Sequence, residues 1–161
     1  IVFFFIFFLK VHTFTKKKRM IHIKKFKFNN KKLMDFSHKI RNEVFVIEQN
    51  CPAELEWEYE MESTHFLIFY NRKPVATARH RKTKKGYKLE RFAVLKKERG
   101  KGYGHQVLKA ILEDLKSFNG TVYMHAQCEV VPFYEKLNFK KIGDIFEEAG
   151  ILHYKMILSK I

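Results

Sequence analysis

Cysteine is scarce in this sequence, and its scarcity narrows the possible classes of protein. Cys51 and Cys128 are the two cysteines in 161 residues, and they lie far apart and outside any CxxC pair. This arrangement argues against a disulfide scaffold and against a cysteine-based zinc site, and we predict no metal site. It fits a reducing compartment, so we expect a cytoplasmic protein.

Long apolar runs are also lacking. Residues 1–9, IVFFFIFFL, form a run well short of the roughly 20 residues with which a helix spans a bilayer. A signal peptide would carry its positive charge before the run, whereas here the basic stretch 16–19 follows it. Met20 then opens a strand-like segment, so we expect residues 1–19 to be a non-native upstream extension or a disordered tail. A membrane anchor is the alternative, and the apolar length disfavours it.

Acidic residues are few in comparison with basic ones. There are 17 Asp and Glu against 32 Lys and Arg, which gives a formal net charge of +15. Such a charge attracts polyanions, whether nucleic acid, anionic lipid or a phosphorylated cofactor, and does not choose among them. No RNA-reading motif or zinc finger accompanies the charge, so we expect neither a specific nucleic-acid partner nor a membrane partner.

What the sequence does contain is enough for one globular domain. Of its residues, 46% are hydrophobic and 30% are charged, a mixture typical of a folded protein of this length. Hydrophobic periodicity predicts an α/β (α+β) domain. The predicted order is strand 21–28, helix 32–48, strands 65–70, 75–81 and 87–95, helix 105–118, strand 121–126, helix 132–137, and strands 139–142 and 151–158.

An acidic alternation occupies residues 54–62, where Glu recurs at every second position between apolar side chains. An extended segment with one solvated face and one packed face would produce this pattern. An acidic wall that attracts a cationic ligand is the alternative. We favour the first, because a run of charge is usually a solvated face.

The segment most informative about chemistry is a glycine-rich loop before the second predicted helix. Gly100, Gly102 and Gly104 fall within five residues, and glycine lets a backbone approach a ligand closely. The first turn of the helix adds N–H groups and the positive end of the helix dipole. The loop therefore predicts a pyrophosphate cradle, with Arg99 and Lys101 as added charges.

This loop matches neither a Walker loop nor a dinucleotide-binding fingerprint, because GxGxG is followed by His105 and Gln106. Read in isolation, it could also be only a tight connection. Its context is more specific.

Arg99-x-x-Gly102-x-Gly104, placed after an apolar strand, resembles the acetyl-CoA signature of the GCN5-related N-acetyltransferases, the GNAT family. The stretch 133–139, FYEKLNF, is similar to the family's Y-E-K-x-G-F, with Asn138 in place of the usual glycine. Asn tolerates a left-handed backbone, so this departure is mild. Segments 41–49, 65–67 and 150–153 resemble the ElaA/YjcF-like branch. The resemblance runs from Met20 to the end of the chain.

The resemblance implies a single GNAT domain over residues 20–161, with a mixed, mostly antiparallel central sheet flanked by helices. It implies acetyl-CoA as cofactor and transfer of the acetyl group to an amine by direct attack on the thioester. The acceptor would be a small-molecule or peptide amine, and the protein a monomer or homodimer. A non-catalytic acyl-CoA-binding module is the alternative.

The resemblance also implies roles for individual residues near the acceptor. Tyr134 would protonate the departing thiolate, with a packing aromatic as the alternative. Glu90 is the base candidate by position on its strand, although a surface glutamate is at least as plausible. His125 and His153 are further candidates at the substrate site, because imidazole is the side chain that ordinarily titrates near neutrality.

The strand 87–95 would lie along the pantetheine arm, with the backbone at Phe92 and Val94 paired to its amides. The predicted cofactor contacts are Phe92, Ala93, Val94, Arg99, Gly100, Lys101, Gly102, Tyr103, Gly104, His105 and Gln127.

Overall fold

Seven β-strands form one sheet in the structure, a computed structural model that describes residues 20–159. The strands are β1 (Ile21–Phe26), β2 (Thr64–Tyr70), β3 (Lys73–Thr83), β4 (Gly86–Val94), β5 (Val122–Gln127), β6 (Phe139–Glu148) and β7 (Ile151–Leu158). Across the sheet their order is β1-β2-β3-β4-β5-β7-β6, and every neighbouring pair is antiparallel except β4 and β5. The predicted mixed, mostly antiparallel sheet is confirmed. The expectations for residues 1–19 fall outside the described residues.

Four α-helices accompany the sheet in this part of the chain. They are α1 (Lys31–Arg41), α2 (Ala53–Glu56), α3 (Tyr103–Asp114) and α4 (Val131–Glu135). The predicted helix 32–48 is present, but its last seven residues, Asn42–Glu48, are wound as a wider π-helix, here called the π segment. The side chain of Asn30 caps α1 by accepting the N–H of Leu33 at 3.2 Å. Between residues 20 and 159 no helix has the length and apolarity to cross a membrane.

Two hydrophobic cores lie on opposite faces of the sheet. The core beneath α3 includes Phe66, Ile68, Leu89, Ile111 and Met124. The core beneath α1 includes Met34, Ile40, Leu67 and Ala93. Successive residues of a strand point to opposite faces, which is why β2 and β4 contribute to both cores. These central strands are therefore buried on both faces, and they support the loops that follow them.

The acidic alternation at residues 54–62 does not form the extended segment that its pattern predicts. It folds as α2 and a turn, with Glu56 and Glu60 buried at 4% and 7% exposure. The apolar Trp57 and Met61 are exposed, at 36% and 78%, and so are Glu54, Glu58 and Glu62. The prediction of an extended segment with one solvated acidic face was wrong, because the segment is not extended and two of its five carboxylates turn inward to meet buried arginines.

Those arginines are Arg41 and Arg79, each only 1% exposed. Arg41 donates to Glu56 at 2.5 Å and to Glu60 at 2.7 Å, and Arg79 donates to Glu60 at 2.8 Å. Burial raises the pKa of Glu60, but hydrogen bonds from His38 and Arg41 outweigh it and lower the pKa to about 2. Glu60 therefore stays ionised at neutral pH, whereas burial raises the pKa of Glu56 in spite of its arginine partners. This glutamate–arginine cluster fastens α1 and α2 to the sheet.

We predict that Arg41→Met destabilises the protein by about 3–5 kcal/mol, because it removes the buried cation that Glu56 and Glu60 share and leaves their carboxylates under-compensated. The measurement is the free energy of unfolding in urea. Lys116→Met is the matched control, since the Lys116–Glu113 pair is 68% exposed on both sides and surface pairs contribute little. Equal stability of the two variants would contradict this role for the cluster.

Candidate active site

The sheet opens between its two parallel strands. Residues 87–89 of β4 pair with residues 122–124 of β5, and there the pairing ends. Beyond this point β5 pairs with β7, while β4 pairs on one side alone, with β3. We call the opening between residues 90–94 and 125–127 the β4–β5 cleft. One edge of β4 faces this cleft with its backbone groups unpaired by a neighbouring strand, and such an edge can bind an extended ligand.

A β-bulge in β4 lies at the start of that unpaired edge. Arg91 has a φ of 58°, and the register with β3 shifts at this point. Past the bulge, the N–H of Leu95 donates to Val75 of β3 at 3.1 Å. Backbone groups of successive strand residues face opposite edges, so those of Phe92 and Val94 face the cleft. The backbone of both residues therefore borders the cleft, on the edge of β4 that no strand pairs.

The glycine-rich loop ends at the N-terminus of α3. Gly100 and Gly102 have φ values of 76° and 82°, in the left-handed region that favours glycine. Gly102 is the N-cap of α3, and no side chain of the described residues caps the helix there. First-turn N–H groups have no intrahelical acceptor, and the helix dipole makes this end positive. The 12-residue helix therefore offers backbone donors to an anion.

Gly104 joins the loop to the cleft. A Cβ at this position would lie 3.6 Å from Phe133 of α4 and 4.0 Å from Val94 of β4. The first turn of α3, the end of β4 and the start of α4 therefore meet at one point. A Cβ at this position would make ordinary van der Waals contact with both side chains.

The two cations predicted to add charge to the loop both have carboxylate partners. Arg99 binds Glu48 at 2.6 and 2.8 Å and donates to the carbonyl of Val94 at 3.1 Å. Lys101 binds Glu98 at 2.8 Å. Arg99 therefore ties the π segment to the end of β4. His105 is exposed in the first turn of α3, and the side chain of Tyr103 is buried in the core.

Tyr134 stands across the cleft from β4. Its side chain is 6% exposed, and its ring lies 5.8 Å from that of Phe92 and 6.0 Å from that of Phe139, both edge to face. Burial raises the pKa of Tyr134 well above its ordinary value. The phenol is therefore protonated throughout the physiological range. Asn138, after α4, has a φ of 65°, so it does adopt the left-handed backbone for which its family position normally uses glycine.

Gln127, predicted to contact the cofactor, ends β5 at the mouth of the cleft. Its side-chain amide exchanges two hydrogen bonds with that of Gln49, at 3.0 and 3.2 Å. This pair joins β5 to the residue that follows the π segment. Sequence reasoning did not name Gln49 and Glu48 as site residues, although both lie in the segment 41–49 that resembles the ElaA/YjcF-like branch.

Glu90 lies beside the cleft in a cluster of cations. It is 8% exposed and accepts hydrogen bonds from Arg79 and Arg81, both at 3.2 Å, while Lys88 lies at 3.2 Å. Burial raises the pKa of Glu90, but these cations outweigh it and lower the pKa below its usual range. A carboxylate held in this way has little tendency to take up a proton.

His125 is the first β5 residue beyond the pairing with β4. Its Nδ1 lies 2.9 Å from the carboxylate of Glu148, at the end of β6. The His125 hydrogen bond is the main reason that the pKa of Glu148 falls to about 2. An ionised carboxylate only accepts, so Nδ1 carries the proton and Nε2 is left with a lone pair. Nothing in the local sequence predicts Glu148, because the hairpin β6–β7 brings it to His125.

His153 lies next to this pair, on β7. It is 8% exposed, and its Nδ1 donates to the carbonyl of Ile151 at 2.7 Å. The ring of Phe146 lies between the two histidines, stacked on His153 at 5.9 Å and edge-on to His125 at 4.9 Å. The structure thus brings both predicted histidines to the same side of the sheet as Glu90.

Comparison with known proteins gives a consistent result. The family model of the acetyltransferase (GNAT) domain matches residues 28–160. The uncharacterized N-acetyltransferase YjcF of Bacillus subtilis is 42% identical over 134 residues, which cover 80% of this chain and 94% of that protein. Protein ElaA of Escherichia coli is 31% identical over 124 residues, covering 73% and 81% of the two chains.

Solved structures show the same fold. The crystal structure of Escherichia coli ElaA matches with a TM-score of 0.78 and 26% identity, over 87% of this chain and 100% of that one. An aminoglycoside 6'-N-acetyltransferase complexed with coenzyme A matches with a TM-score of 0.68 and 17% identity, over 84% and 95%. The sequence matches, the sheet opened between β4 and β5 and the glycine loop at α3 agree, and the chain belongs to the GNAT acetyltransferase family, with relatives in its ElaA/YjcF-like branch.

Proposed function

We propose that the protein transfers an acetyl group from acetyl-CoA to an amine by direct attack of the amine on the thioester. The observation that carries this proposal is the β4–β5 cleft, where the open edge of β4, the N-terminus of α3 and Tyr134 converge. Membership in the family supports acetyl transfer, and a fold neighbour crystallised with coenzyme A supports the choice of donor.

The residues of the cleft fit coenzyme A in both charge and shape. The backbone at Phe92 and Val94 would pair with the pantetheine amides, as an added strand does. The N–H groups after Gly102 would hold the pyrophosphate. Bound there, acetyl-CoA supplies an activated acetyl group.

The reaction forms one N–C bond, breaks one C–S bond and requires two proton movements. The amine nitrogen loses a proton to a base, and the departing sulfur gains one. We assign the second proton to Tyr134 from its position, because α4 holds its ring across the cleft from Phe92. Burial keeps the phenol protonated and also makes it a weaker acid. A positioned acid of this kind is worth about 10²–10⁴-fold in rate.

For the base, we favour His125 over Glu90. Glu148 orients the imidazole and leaves Nε2 to accept a proton. Three cations surround Glu90 and hold it ionised. In this assignment Glu90 holds Arg79 and Arg81 in place at the edge of the site. A role for Glu90 as the base is the alternative, and the experiment below distinguishes the two.

We predict that Gly102→Leu weakens coenzyme A binding by roughly 10–100-fold, the equivalent of one or two lost charge-assisted hydrogen bonds. A side chain at this position would occupy the space of the phosphate. Calorimetry gives the dissociation constant. Gly143→Leu is the matched control, because Gly143 has a similar φ of 73° and equally open surroundings but lies on the distant β6. Equal affinities of the two variants would count against the loop.

We predict that Tyr134→Phe lowers kcat by about 10²–10⁴-fold and leaves the affinity for acetyl-CoA almost unchanged, since the ring is kept and its proton is lost. Release of coenzyme A is followed with a panel of amines. Tyr87→Phe is the control, because Tyr87 packs against Phe118 in the core. A change confined to KM would make Tyr134 a binding residue, and wild-type protein that binds acetyl-CoA but acetylates no amine would be a binding module.

We predict that His125→Gln lowers kcat/KM by about 10²–10⁴-fold, because it removes the side chain that accepts the proton of the amine. Glu90→Gln should lower kcat/KM much less. The value of kcat/KM is measured for both variants, with urea unfolding as a check on stability. The reverse pattern would assign the base to Glu90.

A further inference from the structure

A second cavity adjoins the closed end of the β4–β5 cleft. Its volume is about 280 Å³, and its walls come from β3, β4, β5, β7 and the turn between β3 and β4. Most of the side chains that line it are basic or can become so: Arg81, Lys84, Lys85, Lys88, Lys155 and His125. We call it the basic cavity.

The charges of the basic cavity are not balanced. Arg81 and Lys88 share one carboxylate, that of Glu90, at 3.2 Å each. Lys84, Lys85 and Lys155 form no ion pair with any residue of the described part of the chain. The remaining carboxylate nearby, Glu148, is bound to His125. Three cations therefore stand in excess around a small volume, and such an excess attracts a phosphate or carboxylate group.

Side-chain contacts with tyrosines hold the walls of the cavity in place. The hydroxyl of Tyr123 lies 3.1 Å from that of Thr83, and this contact ties the β3–β4 turn to β5. Lys155 lies over the ring of Tyr123, 5.4 Å from its centroid, and Arg81 lies over the ring of Tyr59 at 3.9 Å. Aromatic rings thus hold two of the cations at the rim.

The cavity and the cleft share His125. This residue lines the basic cavity and also follows Met124, the last β5 residue paired with β4. A ligand whose anionic group lies among the lysines would extend toward His125 and the open edge of β4. The volume lies just below the usual range for small-ligand pockets, about 300–1,000 Å³, and suits a compact molecule better than a peptide.

We infer that the acceptor is a small amine that carries a phosphate or carboxylate, bound with its anion in the basic cavity and its amine at His125. This inference rests on the acetyl transfer proposed above. It differs in sign from the acidic wall considered from the sequence, because Glu56 and Glu60 are committed to buried arginines and the exposed Glu54, Glu58 and Glu62 do not line the basic cavity. It also disfavours polyamines and other polycations as acceptors, since the cavity repels them.

Matched amines test the inference by binding, without any need for turnover. The probes are ethanolamine, O-phosphoethanolamine, β-alanine and putrescine, titrated calorimetrically into the full chain saturated with coenzyme A. We expect the two anionic amines to bind at least about tenfold more tightly than ethanolamine, and putrescine to bind most weakly. The order of the two anionic probes decides between phosphate and carboxylate.

The lysines are tested by a triple variant, Lys84→Gln, Lys85→Gln and Lys155→Gln. It should lose most of the advantage of the anionic amines while keeping the wild-type affinity for coenzyme A. The control carries Lys24→Gln, Lys32→Gln and Lys39→Gln, which remove the same charge from exposed positions elsewhere. The control should retain the advantage.

Two results would overturn the inference: equal affinity for charged and neutral amines, or an anionic advantage that survives in the triple variant. Failure of acetyl transfer itself gives a different result. Coenzyme A would then not bind, or no amine in the panel would be acetylated, whatever its charge. If neutral or cationic amines were acetylated and anionic ones were not, acetyl transfer would stand and the anionic acceptor would be excluded.

Discussion

The short pairing between β4 and β5 is the constraint on which the rest of the site depends. Parallel strands that pair over only residues 87–89 and 122–124 must diverge, because β5 turns to β7 while β4 remains with β3. The divergence leaves a buried strand with one unpaired edge, which is costly unless something else satisfies its backbone groups. The bulge at Arg91 and the loop that ends at Gly102 place donors along the same opening. A cofactor with amides at one end and phosphates at the other matches this arrangement.

Ion pairs and side-chain hydrogen bonds hold the two sides of this opening in place, and the ion pairs of the glutamate–arginine cluster are buried. The glutamate–arginine cluster joins α1 and α2 to β3, and Arg79 continues it to Glu90 on β4. Arg99 and Glu48 attach the π segment to the end of β4, and the Gln49–Gln127 pair attaches the same region to β5. Breaking a buried pair is costly because it leaves an uncompensated charge. The cleft therefore has walls that are positioned by side chains far apart in sequence.

Structural features that depend on residues close together in sequence could be predicted, whereas contacts between residues far apart in sequence could not. The glycine loop at 100–104 and the helix after it are local, so their relation was predicted correctly. Asn138 adopts the left-handed backbone expected for a residue in place of glycine. The alternation at 54–62 was misread, because the carboxylates of Glu56 and Glu60 pair with Arg41 and Arg79, which lie in other elements. Glu148 reaches His125 only through the hairpin β6–β7, and the basic cavity collects residues from four strands.

Hydrogen exchange of the full chain, with and without coenzyme A, tests the β4–β5 cleft most directly. Exchange reports whether backbone N–H groups are protected, and the cleft is defined by groups that no neighbouring strand protects. We predict slower exchange in the bound state for residues 90–95 and 102–106, and unchanged exchange in β6, at the far edge of the sheet. Binding of coenzyme A that left residues 90–95 unprotected, or protected another region instead, would contradict the account.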